Sequence, residues 1–211
     1  MNSIIDFHTH RSDATAALIA VDPRQFDPKT GHYYAVGFHP WHDVDLLTDS
    51  DFALLEQCAR HPQVLAIGET GLDRIRGARL DVQKTVFIRH LQLARQLCMP
   101  VVVHNVRATQ DILACRHQHH LDDVTLAIHG MRSNAHVART LLDAGCYLSF
   151  GPIFNQQALL DTPLDRLLIE TDDSPISIDE VANLVGAELG MTSNQVTATA
   201  AGNARRLLQM D

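Results

Sequence analysis

Short apolar runs alternate with segments of helical periodicity along most of the chain. The runs that predict β-strands cover residues 3–8, 16–21, 32–39, 64–67, 101–103, 124–128, 147–150 and 167–169. The segments that predict helices cover residues 48–61, 81–98, 109–120, 135–144, a short stretch near 156–160, 178–189 and 193–208. From residue 48 onward the repeating unit is therefore a strand followed by a helix.

The predicted strands are apolar at most positions, which is typical of strands that are covered on both faces in a parallel sheet. Eight such strands predict an α/β fold, a (β/α)8 barrel of the TIM type, with residues 1–211 in a single domain. The segments after the first and second strands are too short for a full helix. We therefore expect two outer helices to be missing on that side of the barrel.

Composition and charge narrow the classes of function. Hydrophobic residues make up 45% of the chain, and the formal net charge of −8 argues against broad electrostatic binding to nucleic acid or to an anionic membrane. A nucleic-acid substrate stays possible, because a bound divalent metal would supply positive charge where a phosphate binds. The chain has no apolar run of transmembrane length and no signal-peptide pattern, so we expect a cytoplasmic location and no membrane partner.

Histidine is abundant, with 13 residues, and several histidines follow predicted strands. The carboxyl ends of the strands carry the active site in TIM barrels. The polar residues at these ends are His8, His10, His39, Glu69, His104, His129 and Asp172. Each of them alone has a structural explanation, as a core histidine or as a carboxylate that caps a turn. Together they favour a metal site, because imidazole and carboxylate groups bind Zn, Mn, Ni and Fe.

Other polar residues do not share this placement. The loop after the fourth strand carries Arg74, Arg76 and Arg79. Either this loop is solvated, or one of its guanidinium groups binds an anionic substrate. The helical patterns contain His90 and His136, as surface or packing residues, and His117, His119 and His120, which we expect to be solvated. The four cysteines form no Cys-x-x-Cys pair and predict buried thiols rather than disulfides or a zinc site.

The ordered set of motifs resembles the TatD family of metal-dependent hydrolases, which are usually described as deoxyribonucleases. The matching stretches are Asp-Phe-His-Thr-His at 6–10, Val-Gly-Phe-His-Pro-Trp at 36–41, Ile-Gly-Glu-Thr-Gly-Leu-Asp at 67–73, Pro-Val-Val-Val-His at 100–104, Ile-His-Gly at 128–130 and Leu-Ile-Glu-Thr-Asp-Asp-Ser-Pro at 168–175. Residues 83–100 and Gly-Asn-Ala-Arg at 202–205 are also similar to that family. The resemblance covers nearly the whole chain.

This resemblance implies an enzyme with two divalent metal ions, Zn, Mn, Ni, Fe or Mg, that hydrolyses phosphodiester bonds of DNA, as a single strand or from an end. The ligands that it implies are His8, His10 and Asp172 for one metal and His104 and His129 for the other, with Glu69 bridging both. His39 would contact the substrate or the leaving group. Asp172 is our candidate for the general base, because it would lie close to the attacking water.

Three departures from the family pattern bear on the substrate. The region between His10 and His32 is short, the segment from Asp172 to the next helix is short, and Gly130-Met131 replaces an aromatic residue of the family. The first two predict a more open rim around the site. They leave open a metal-dependent ester or amide hydrolase, such as a D-aminoacyl-tRNA deacylase, and a barrel that binds a partner without catalysis.

Overall fold

The computed structural model describes residues 3–210, which contain eight strands and seven α-helices. The strands are β1 (Asp6–Thr9), β2 (Ala17–Val21), β3 (Tyr33–Val36), β4 (Val64–Asp73), β5 (Val101–Val106), β6 (Leu126–Ile128), β7 (Tyr147–Phe150) and β8 (Leu167–Ile169). The helices are α1 (Asp49–Ala59), α2 (Leu80–Leu97), α3 (Thr109–Gln118), α4 (Ala135–Asp143), α5 (Gln156–Leu160), α6 (Ile178–Leu189) and α7 (Ser193–Leu207).

The eight strands follow one another around a closed barrel in chain order. This confirms the predicted (β/α)8 architecture. Within residues 3–210, no helix separates β1 from β2, and only a short 3-10 helix, Pro23–Gln25, lies between β2 and β3. The prediction that two outer helices are missing is therefore confirmed as well.

Two strands, β4 and β5, are longer than the sequence predicted. The prediction ended the fourth strand at Ile67, but β4 continues to Asp73 and pairs with β5 over Gly71–His104 and Asp73–Val106. The reason lies in Gly71, which reads as a turn signal in the sequence. A Cβ atom at Gly71 would lie 2.0 Å from the carbonyl oxygen of His104, so glycine here permits close strand pairing rather than a turn.

The chain divides into two compact units, which we describe separately. The first contains the described residues up to Ile19 and those from Ala127 onward, and its core includes Phe7, Leu148 and Phe150. The second is Ala20–Leu126, with a core that includes Leu55 and Phe87. Among residues 3–210, none of the helices combines the length and apolar character needed to cross a membrane.

Helix ends follow local side-chain chemistry. Thr48 caps α1 in a capping box with Asp51, and Ser177 does the same for α6 with Glu180. These caps satisfy backbone N–H groups of the first turn that have no partner inside the helix. They define where the helices begin and hence the length of the connections that precede them.

Candidate functional site

The first unit brings His8, His10 and Asp172 together at the ends of β1 and β8, and we call them the β1–β8 cluster. One possible ligand atom from each lies within 4.8 Å of the others. The Nε2 atoms of His8 and His10 lie 3.7 Å and 3.6 Å from Asp172 Oδ1. His8 and His10 share one face of the extended chain because side chains alternate along a strand. His8 is buried, whereas His10 lies at the surface.

Backbone hydrogen bonds hold Asp172 in place. Its N–H donates to the carbonyl oxygen of His8 at 2.9 Å, and its own carbonyl oxygen accepts from the N–H of His10 and the hydroxyl of Thr9. Asp172 has a φ of 55°, in the left-handed region that aspartate tolerates better than most residues. Contacts to β1 therefore fix the backbone that carries the Asp172 carboxylate.

Asp6 ties β1 to the residue before Asp172. Its carboxylate accepts from the Thr171 N–H at 2.9 Å and from the Thr171 hydroxyl at 2.6 Å. Burial raises the pKa of Asp6 to about 6, and the two hydrogen bonds from Thr171 act in the opposite direction. These bonds join the segments that carry the three cluster residues.

His129 and Glu170 lie next to the β1–β8 cluster in the same unit. The His129 ring centroid lies 4.2 Å from that of His8, and His129 Nδ1 lies 3.6 Å from Glu170 Oε1. Glu170 is fully buried and accepts a hydrogen bond from the Gly130 N–H at 2.6 Å. His129, Glu170 and Asp172 also form a group that could hold a metal. The sequence analysis gave Glu170 no role, although a charged residue directly after an apolar strand was a usable signal.

The second unit brings together His39, Glu69 and His104, which we call the β3–β5 cluster. Glu69 Oε1 lies 2.9 Å from His39 Nε2 and 3.0 Å from His104 Nδ1. The two ring nitrogens lie 3.3 Å apart, so three potential ligand atoms converge. Burial lowers the pKa of His39, while the hydrogen bond and the charge of Glu69 oppose this shift. His39 therefore carries a neutral ring at neutral pH.

Hydrogen-bond partners surround the rings of both histidines, and one of them assigns the proton position of His39. The backbone N–H of Trp41 donates to His39 Nδ1 at 3.1 Å, so the neutral His39 ring carries its proton on Nε2, facing Glu69. His104 has a carboxylate oxygen beside each ring nitrogen: Asp73 Oδ2 lies 3.2 Å from Nε2, and Glu69 Oε1 lies 3.0 Å from Nδ1. A histidine whose second nitrogen donates to a carboxylate is the usual arrangement of a metal ligand.

Asp73 supports the β3–β5 cluster and had no role in the sequence analysis. Its Oδ2 accepts a hydrogen bond from Trp41 Nε1 at 2.6 Å and faces His104, while its Oδ1 accepts from the N–H of Ile75. Burial raises the pKa of Asp73, but the hydrogen bonds from Trp41 and Ile75 outweigh it and leave the pKa below its ordinary value. Asp73 is thus a stable carboxylate that orients the His104 ring.

Comparisons with known proteins all relate this chain to the same family. A sequence model of the family described as TatD related DNase matches residues 24–209. YabD of Bacillus subtilis, named as a metal-dependent hydrolase, is 31% identical over 200 residues, which cover 85% of this chain and 78% of YabD. A protein of Cronobacter turicensis named 3'-5' ssDNA/RNA exonuclease TatD is 34% identical over 152 residues, which cover 67% of this chain and 57% of that protein.

A solved structure agrees with the fold. The crystal structure of YjjV, a TatD homologue from Escherichia coli, is similar to this chain with a TM-score of 0.84. The similarity covers 99% of this chain and 98% of that one, at 20% sequence identity. At this identity the likeness establishes the barrel fold.

Proposed function

Because the chain belongs to the TatD-related family of metal-dependent hydrolases, we propose that it is a deoxyribonuclease that uses two divalent metal ions to hydrolyse phosphodiester bonds. The observation that carries the proposal is that each unit holds its own cluster of imidazole and carboxylate groups. The name of the Cronobacter turicensis relative supports nucleic acid as the substrate, and a single strand as its form.

The side chains of both clusters suit a divalent metal. They offer neutral imidazole nitrogens and carboxylate oxygens and no thiolate, a set that binds Zn, Mn, Ni or Fe, and Mg where water completes the shell. A bound divalent metal lowers the pKa of its water and stabilises charge on a phosphate. The ligands that we propose are His8, His10 and Asp172 for one metal and Glu69 and His104 for the other. Ligation by His129 and a bridging role for Glu69 stay predictions of the family resemblance.

Two residues are proposed to act on the reacting oxygens. His39 holds its proton on Nε2, and we assign it as a hydrogen-bond donor to the leaving oxygen, because a neutral imidazole N–H donates a hydrogen bond but is too weak an acid to give up its proton near neutral pH. Asp172 is partly exposed, with 18% of its side chain accessible, and we assign it as the general base for the attacking water. Glu69 keeps the His39 ring in position by accepting from Nε2.

The experiment uses protein stripped of metal with a chelator and tested on end-labelled single-stranded DNA, with Zn, Mn, Ni, Fe and Mg restored one at a time. We expect at least one metal to restore cleavage and Glu69→Gln to remove both cleavage and part of the bound metal, measured by mass spectrometry. The matched control is Glu56→Gln, since Glu56 lies on α1 and pairs with Arg60 at the surface. Equal cleavage by the Glu69 variant would contradict the proposal.

A panel of other substrates tests the alternatives. Turnover of aminoacyl esters or cyclic amides with no cleavage of DNA would replace the nuclease by an ester or amide hydrolase. Tight metal binding without turnover of any substrate would favour a non-catalytic barrel. The cytoplasmic location and the single-domain organisation stay predictions from the sequence.

A further inference from the structure

Trp41 stands beside the β3–β5 cluster in a fixed orientation with part of its ring in solvent. It is the single tryptophan of the chain and is 42% exposed. Its Nε1–H donates to Asp73, and its ring packs edge-on at 4.8 Å from the His39 centroid and 5.2 Å from the His104 centroid. A large aromatic ring that is held rigidly yet exposed is preorganised to bind a partner, because little conformational freedom is lost on binding.

Arg76 lies over this ring. Its guanidinium carbon is 3.8 Å from the Trp41 ring centroid. The other two arginines of the loop have carboxylate partners: Arg74 pairs with Asp111 and Arg79 with Asp81. Arg76 is exposed and forms no salt bridge within residues 3–210. Of the three arginines, Arg76 is therefore the one whose charge is available to an anionic ligand.

The loop that carries Arg76 is built rigidly. The buried Gln83 side chain donates to the carbonyl oxygens of Asp73 and Arg76, and the Asp73 carboxylate accepts from the Arg76 N–H. Gly77 has a φ of +85°, and a Cβ atom there would lie 2.1 Å from the Pro40 carbonyl oxygen. Glycine therefore allows the loop to pack directly against the segment that carries Trp41.

We propose that Trp41 and Arg76, which we call the stacking platform, bind one unpaired nucleobase and its adjoining phosphate beside the candidate reaction site. Every nucleobase presents a flat face that stacks on an indole ring or on a guanidinium plane such as that of Arg76, which covers one face of the ring, whereas a paired base inside a duplex is not available for this contact. The guanidinium group adds positive charge next to the ring in an otherwise acidic chain. The proposal rests on the proposed nuclease function and adds to it the residues that recognise an unstacked base of the strand.

The test compares one scissile bond with and without a neighbouring base. A series of single-stranded hexadeoxynucleotides, each with one abasic position, is cleaved by the metal-loaded enzyme. We expect one abasic position to lower kcat/KM about tenfold relative to the intact strand. Trp41→Leu should remove this preference, and Trp41→Phe should keep most of it, because phenylalanine retains an aromatic face but loses the N–H.

The outcomes separate the stacking platform from the nuclease function. Two results would overturn the stacking platform and leave the nuclease function intact. One is that no abasic position lowers kcat/KM, and the other is that Trp41→Leu keeps the native preference for the intact strand. An absence of metal-dependent cleavage of any strand by the native enzyme would overturn the nuclease itself. The comparison of Leu with Phe also excludes a purely structural role, since both variants lose the hydrogen bond to Asp73.

Arg76 is tested by the salt dependence of binding. Binding of the intact strand to chelator-treated protein is followed by Trp41 emission, which reports this ring alone because the chain has one tryptophan. Arg76→Ala should weaken binding and reduce the slope of log K against log salt by about 0.7, the value for one phosphate contact on a single strand. Arg79→Ala is the matched control and should leave the slope unchanged. Equal salt slopes for the two variants would contradict the proposal, and so would Trp41 emission that does not change when the intact strand is added to the native protein.

Discussion

The two candidate clusters are held in place by different means. In the β1–β8 cluster, main-chain bonds between β1 and Asp172 fix the backbone that carries the carboxylate, and the Asp6 bonds to Thr171 reinforce them. In the β3–β5 cluster, the contacts are made to the imidazole rings themselves, since Asp73 faces His104 and the Trp41 N–H donates to His39. A bond to the backbone fixes where a residue lies, whereas a donor at an imidazole nitrogen also fixes which nitrogen carries the proton.

This difference assigns different chemistry to the two clusters. The β3–β5 cluster contains one histidine with its N–H toward Glu69 and a second histidine between Glu69 and Asp73, so a hydrogen-bond donor and a proposed ligand lie side by side. The β1–β8 cluster contains a carboxylate with one buried and one exposed histidine. We therefore expect substitutions at His39 and at Asp172 to separate stabilisation of the leaving group from metal binding.

The largest effect is expected from His39 and Asp172, one in each cluster. Asp172→Asn should lower kcat of the metal-loaded enzyme by about 10²–10⁴-fold, the usual contribution of a general base, and His39→Ala by about 10²–10³-fold, the usual cost of losing one hydrogen-bond donor to the transition state. Only Asp172→Asn should also lower the bound metal, because His39 faces Glu69 with an N–H. Metal content measured by mass spectrometry and single-turnover cleavage check both statements. A His39 variant that loses metal as the Asp172 variant does would make His39 a ligand instead.

The second effect is a pH dependence of the free energy of unfolding, caused by His90, which bonds to the residue before His39. The buried His90 ring accepts from the Phe38 N–H, and burial lowers its pKa from 6.5 to about 4. Between these pH values the unfolded chain binds more protons at His90 than the folded chain does. The contribution of His90 to the free energy of unfolding is therefore full above pH 6.5 and falls as the pH drops to 4. The loss reaches about 3 kcal/mol.

Urea unfolding between pH 4 and 7 measures this effect, with His90→Gln as the comparison. The difference between the two stability curves isolates His90 from Asp6, whose raised pKa changes stability with the opposite sign. Hydrogen exchange at the Phe38 amide should show the same pH dependence. A flat difference curve would contradict the prediction.

A third, smaller effect concerns the support of His104. Asp73→Asn weakens the acceptor that faces His104 Nε2, so metal affinity or activity should fall about 10–100-fold, as is typical for a residue that orients a metal ligand. Competition with a fluorescent zinc chelator measures the affinity. Asp81→Asn is the control, because Asp81 pairs with Arg79 at the surface. Equal affinities in the two variants would show that Asp73 does not orient the ligand.

The smallest effect tests the hydroxyl bond from Thr171 to Asp6, which reinforces the β1–β8 cluster. Thr171→Val keeps the N–H bond to Asp6 but removes the hydroxyl bond, which should cost about 1–2 kcal/mol of unfolding free energy, since Asp6 is buried. Thr140→Val is the control, with an exposed hydroxyl bonded to its own helix. Urea unfolding at pH 7 compares the two. A loss no greater than in the control would show that the hydroxyl bond contributes little.

The sequence predicted the barrel and the location of its strands because both depend on local patterns. Apolar runs at regular spacing indicate strands, and His8, His104 and Asp172 could be placed by their position after such runs. The predicted end of β4 was wrong because a glycine, which normally marks a turn, makes room at this position for the backbone of β5. That contact joins residues more than thirty positions apart, so no local signal records it.

By itself the sequence determined which residue types gather at the strand ends, and hence that imidazole and carboxylate groups form the candidate site. The tertiary structure alone decided their roles. The proton of His39 is fixed by the Trp41 N–H, the His104 ring lies between Asp73 and Glu69, and the Trp41 ring is held by its bond to Asp73. The physical reason is that periodicity records burial, whereas proton positions and ligand contacts depend on hydrogen bonds between residues far apart in the chain.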